Sequence, residues 1–92
     1  MNLDTRLEVP SSVVTREIGG EIVLMDLESG TYFGLDAVGG RAWQAFEEGL
    51  TIKQLCARFE QEFDVPPEQL REDMLTLARK LLENKLVSEK QD

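Results

Sequence analysis

Residues 12–35, SVVTREIGGEIVLMDLESGTYFGL, give three short apolar-containing runs rich in β-forming residues and punctuated by turn residues. That pattern predicts three short strands, Val13 to Ile18, Glu21 to Leu27 and Thr31 to Leu35. Gly19-Gly20 suits a two-residue hairpin, and Glu28-Ser29-Gly30 supplies a second turn with Gly30 as its left-handed residue. The expected product is an antiparallel meander. Its middle run is apolar on both faces, as a central strand should be, and its last run is an edge that another chain could pair with.

From Asp36 onward the period becomes helical. Val38, Ala42, Trp43 and Phe46 follow a capping Asp36, and Gly49 closes this first helix. Thr51 caps a second, with Ile52, Leu55, Cys56 and Phe59 on its apolar face and Phe63 at its end. DVPPEQL breaks the chain and restarts it, so a third helix runs from about Pro67 to Asn84, with LVSEK as a short extended tail. Leu70, Met74, Leu77 and Leu81 form one line on this helix, and Leu75, Ala78 and Leu82 widen it to an arc of about 160°, against the stripe of about 100° that one packing face needs. The extra width serves either a tightly wrapped core or the wall of a groove. The fold class is α+β, winged helix-turn-helix-like: a three-stranded antiparallel β-meander followed by three α-helices. Residues 1–11 are expected as a flexible N-terminal arm, 12–88 as the domain and 89–92 as a C-terminal tail.

Composition narrows the chemistry. A chain of 92 residues has room for one core and little for a deep substrate cavity. The net charge of −8 argues against nucleic acid as a partner. Residues 1–50 hold three Arg/Lys against nine acids, and residues 51–92 hold seven against nine. Arg71, Arg79, Lys80 and Lys85 make the third helix the least acidic surface, able to steer an acidic partner. No His is present and Cys56 is the only cysteine, which excludes an intramolecular disulfide, the usual zinc sites and His-based acid–base catalysis. MNLDTRLEVP has neither the basic start nor the apolar centre of a signal peptide, and no apolar run approaches a membrane span. A cytoplasmic protein without metal or cofactor is expected.

Individual residues are weighed on the same grounds. Cys56 lies on an apolar helix face with no base to activate it, so it reads as a small buried hydrophobe. Glu47-Glu48 and Glu60/Glu62 are ordinary solvated helix faces. Gly39-Gly40 lacks the spacing of a phosphate loop and reads as close packing at the strand-to-helix joint; Trp43 beside it reads as core. Tyr32 and Phe33 stay open: one must point away from the core, either into a satellite cluster or onto a binding surface.

VVTREIGGEIVLMDLESGTYFGLDAVGGRAWQAF followed by TIKQLCARFEQEFDVPPEQLREDMLTLARKLLENKLV resembles the PqqD-like family, the leader-peptide-binding domains called RiPP recognition elements. The likeness spans residues 12–88 and rests on the GGE meander ending in GTYFGL, the Gly-Gly/Trp helix start, the Val-Pro break and the final amphipathic helix. It implies a non-catalytic protein that binds the leader of a ribosomally made precursor peptide by strand addition and presents it to a separate modifying enzyme, a protease, cyclase or radical enzyme. It also implies a docking edge of Thr31, Tyr32, Phe33, Gly34 and Leu35, facing a helix wall of Asp73, Met74, Leu77 and Lys80. The alternative is a winged-helix DNA-binding module, for which the second helix, with Lys53 and Arg58 against Glu60 and Glu62, is poorly charged. A scaffold with no peptide ligand is a third reading.

Overall fold

The computed structural model describes residues 1–90, so the last two positions of the expected 89–92 tail lie outside the described residues. In chain order the elements are β1 (Leu7–Glu8), β2 (Val13–Ile18), β3 (Glu21–Asp26), β4 (Tyr32–Leu35), α1 (Ala37–Glu47), α2 (Ile52–Glu62), α3 (Pro67–Glu83) and β5 (Ser88–Glu89). The main sheet is antiparallel in the order β2-β3-β4, with three helices after it, the α+β meander-then-helices architecture expected. Local chemistry explains most boundaries. Gly19 and Gly20 both take positive φ, 61° and 85°, as the mirror-image turn of a tight hairpin requires. The Asp36 carboxylate accepts from Gly39 N at 2.7 Å and starts α1. Thr51 and Gln54 form a reciprocal capping box at α2, and Pro67 opens α3.

The helices cover one side of the sheet. Leu24 from β3 is buried among Trp43 and Phe46 of α1, Ile52, Leu55 and Phe59 of α2, and Leu81 of α3. Gly40 lets α1 approach β3 closely, since a Cβ there would lie 2.9 Å from Ile22 Cδ1. Arg41 ties α1 to α2 by pairing with Glu62 and lying 5.6 Å from the ring centres of both Phe59 and Phe63. Arg58 pairs with Glu48, so both acidic pairs singled out in the sequence have a member engaged in an ordinary ion pair. Among the described residues, no helix is long and apolar enough to cross a membrane.

Residues 1–11, expected as a flexible arm, are packed. Leu7 is buried, β1 pairs antiparallel with β5, and the Leu3 and Thr5 carbonyls accept from Lys53 N and Ile52 N at the start of α2. The cause is tertiary: the N-terminal backbone satisfies amides left open at the helix start, and the chain's two ends meet there. The second strand stops one residue earlier and the third begins one residue later than expected, because Leu27 and Thr31 belong to the turn.

Candidate functional site

The last strand of the sheet has one unpaired side. Asp26 N donates to the Thr31 carbonyl at 2.9 Å, which makes Asp26–Thr31 a hydrogen-bonded pair. The registers Leu24↔Phe33 and Ile22↔Leu35 are then the next such pairs, by the alternation of an antiparallel ladder. The N–H and C=O groups of Tyr32 and Gly34 therefore point away from β3, and among the described residues no strand lies beyond β4 in the sheet. Side chains alternate the other way. Phe33 and Leu35 face the helices, half-buried and buried, while Tyr32 and Gly34 are exposed on the outer face.

Beside this edge α3 supplies a wall. A depression of about 360 Å³ lies between them, lined by Phe33, Gly34, Leu35, Asp36, Val38 and Gly39 on one side and by Asp73, Met74, Leu77 and Lys80 on the other. Asp73, Leu77 and Lys80 follow one another at spacings of four and three, so they lie along one helix face. Met74 is buried beneath them and Leu77 half-buried. The central line of the arc is not the one expected: Leu70, Met74, Ala78 and Leu81 are buried, and Leu77 is displaced toward the groove. Thus Phe33, Gly34, Leu35, Asp73, Met74, Leu77 and Lys80 come together around one depression. Thr31 and Tyr32 do not line the depression: Thr31 belongs to the turn, where its N–H meets Ser29 Oγ, and Tyr32 faces outward.

Asp36, Val38 and Gly39 also line the depression, although the sequence assigns them structural roles and places none of them in the site. Their signal was the cap itself: an Asp that ends a strand and starts a helix sets that helix's first turn beside the strand end. The depression carries two carboxylates, Asp36 and Asp73, and one ammonium, Lys80, around an apolar floor. Of Arg71, Arg79, Lys80 and Lys85, Lys80 alone lines it.

Elsewhere the titratable groups serve structure. Burial pushes the Cys56 thiol up, with Glu60 nearby adding to the effect, so the thiolate is disfavoured. The Asp26 carboxyl is held below its ordinary value of 3.8, chiefly by the Glu28 N–H that it accepts at 3.0 Å in the turn leading to β4. An uncharged open edge facing an apolar helix wall is built to take an extended peptide.

Known proteins match this arrangement. The family model described as coenzyme PQQ synthesis protein D (PqqD) matches residues 21–87. The fold superposes with a TM-score of 0.84 on TbiB1, solved in complex with the TbiA(beta) leader peptide, at 34% identity over 92% of this chain and 99% of that one. It superposes equally, with a TM-score of 0.84, on lasso peptide synthetase B1 complexed with the leader peptide, at 19% identity over 90% of this chain and 98% of that one. No curated protein matches the sequence.

Proposed function

This chain belongs to the PqqD family, and from that premise we propose that it binds the leader segment of a ribosomally made precursor peptide and presents it to a separate modifying enzyme. The leader adds as a strand to β4 and lays alternate side chains against Phe33, Met74 and Leu77. Backbone bonds to Tyr32 and Gly34 supply affinity that tolerates sequence change, and the groove supplies selectivity. Holding the leader raises the local concentration of the remaining precursor near the enzyme, which requires no chemistry from this domain. The same reading puts the protein in the cytoplasm, where precursors are made, and makes the enzyme a protease, cyclase or radical enzyme.

The observation that carries the proposal is the unpaired, uncharged β4 edge lying beside a helix wall whose apolar Met74 and Leu77 are flanked by Asp73 and Lys80. TbiB1, 34% identical, was solved with a leader peptide, which supports it. Chemical-shift mapping with a precursor leader tests it. Perturbations should cluster on residues 31–35 and one face of 70–81. A cluster on 51–63, the helix a DNA reader would use, would overturn the groove.

A further inference from the structure

One glycine is unexplained by the protein's own fold. Gly19, Gly20, Gly30 and Gly49 have positive φ, and a Cβ on Gly39 or Gly40 would crowd Asp36 and Leu35 or Ile22. Gly34 has neither reason: its φ is not left-handed, and a Cβ there would meet nothing within 4 Å. Yet it occupies the interior of a strand, where glycine loses more chain entropy than any other residue and offers no side chain to pack. A β-branched residue would suit the free protein better.

The position of the notch indicates its use. Gly34 sits opposite Val23 on the outer face, with exposed Tyr32 two residues away on the same side. Its backbone N–H and C=O face the open edge, where an added strand would run. We propose that this notch is a second recognition subsite, outside the groove, for a large apolar or aromatic side chain of the bound peptide. That side chain lies across Gly34 against Val23 and Tyr32, covering backbone that an ordinary residue would fill. The inference rests on the leader-binding reading and extends it: the peptide is read on both faces of its strand, alternate residues entering the groove and the outer notch.

The test selects a display library of random peptides against the full chain. The most enriched peptide is titrated calorimetrically against wild type, Gly34→Ala, Gly34→Ile and Leu77→Asp, then again with each of its large residues cut in turn to Ala. Affinity should fall from Gly34 through Ala to Ile, by about fivefold across the series, the size of a good cross-strand pair. Trimming one particular peptide residue should abolish that order. The free Gly34→Ile protein should melt no lower than wild type, which separates lost recognition from lost folding. Equal binding by Gly34→Ile and wild type, with Leu77→Asp defective, would remove the outer subsite and leave the groove standing. An order that survives every trimmed peptide would also remove it, since no side chain would then be responsible. If Leu77→Asp binds like wild type, or no peptide is enriched, the groove reading fails and this proposal fails with it.

Discussion

The sheet has two open edges, and only one of them adjoins a groove of this kind. On β2, Leu27 N donates to the Ser12 carbonyl, so the backbone groups of Thr15 and Glu17 point outward just as those of Tyr32 and Gly34 do on β4. β2 is also the longer strand, six residues against four. Main-chain donors and acceptors therefore cannot distinguish the edges. Side chains can: β2 carries Arg16 and Glu17, and its helix-side residues Thr15 and Glu17 are exposed. Beside it lies a smaller hollow of about 210 Å³, edged by Glu17, Arg41 and Gln44. β4 is uncharged, and its Phe33 faces the hollow walled by Met74 and Leu77. Charges on an exposed strand discourage pairing, whereas an apolar wall rewards it. An edge becomes a site through what stands next to it.

The largest expected effect comes from putting the same charge beside each edge. Leu77→Asp leaves a carboxylate where a bound peptide would strip its water, a penalty of several kcal/mol before relaxation, of order 2–7 for a neutral polar group and more for a charge. Peptide affinity measured calorimetrically should fall at least about tenfold. Thr15→Asp, beside the β2 edge, should leave it unchanged. Equal losses would mean that the edges are not distinct.

Next in size is the removal of one outward N–H from each edge. Gly34→Pro and Glu17→Pro both spare the ladder to β3, and proline is tolerated where the missing donor would face solvent. A single peptide hydrogen bond is worth about 0.5–1.5 kcal/mol net, so Gly34→Pro should bind about threefold to tenfold more weakly than Gly34→Ala, which also fills the notch but keeps the N–H. Glu17→Pro should not weaken binding. Circular dichroism checks that the variants fold.

How much of this contrast is legible in the sequence depends on the range of the forces involved. The Gly19-Gly20 turn, the Asp36 and Thr51 caps and the Pro67 start are written in a few neighbouring residues, and all occur where expected. The edge character of β4 also follows from a meander, whose last strand has one neighbour. The groove does not follow in that way, because α3 meets β4 only through tertiary packing. Spacing shows a spare apolar arc on α3, and the family resemblance says where it faces. The arc's centre is misjudged for an instructive reason: Ala78 is small, so hydrophobicity favours Leu77 over it, although Ala78 is the residue in the core. Tyr32 is assigned to the docking edge on its backbone, while a period of two sends its side chain to the opposite face. The packing of residues 1–11 against the start of α2 depends on distant partners and leaves no local trace.

A smaller effect separates the edges by pH. The β2–β3 turn is closed by two glycines, neither of which titrates, whereas the β3–β4 turn rests on the Asp26 carboxylate accepting from Glu28 N. The folded-state pKa of Asp26 is depressed, so its stabilising contribution is present above the ordinary value of 3.8 and is lost as pH falls through the lower folded value. Amide exchange followed down in pH should therefore show the turn at residues 26–31 loosening before the turn at residues 18–21. Asp26→Asn should remove that difference, because its side chain keeps an acceptor but has no charge to lose. Simultaneous loosening of the two turns in wild type would show that Asp26 does not set the order.

The smallest effect expected is in association kinetics. Of Arg71, Arg79, Lys80 and Lys85, the cations expected to steer an acidic peptide, Lys80 alone lines the groove, together with Asp36 and Asp73. Arg79 instead borders a separate hollow with Leu82 and Val87 on the other side of the helix. One cation between two carboxylates can bias the approach of an acidic peptide but cannot overcome a net charge of −8 at long range. Lys80→Glu should slow association of an acidic peptide by about twofold at low ionic strength, and the difference should shrink near physiological salt, where the Debye length is about 8 Å. Arg79→Glu changes the net charge equally and so provides the control. If it slows association as much as Lys80→Glu, the molecule's overall charge governs the rate and the groove contributes no steering. If Lys80→Glu alone slows it, the long-range field and the local cation are separable, and the β4 edge differs from the β2 edge in kinetics as well as in affinity.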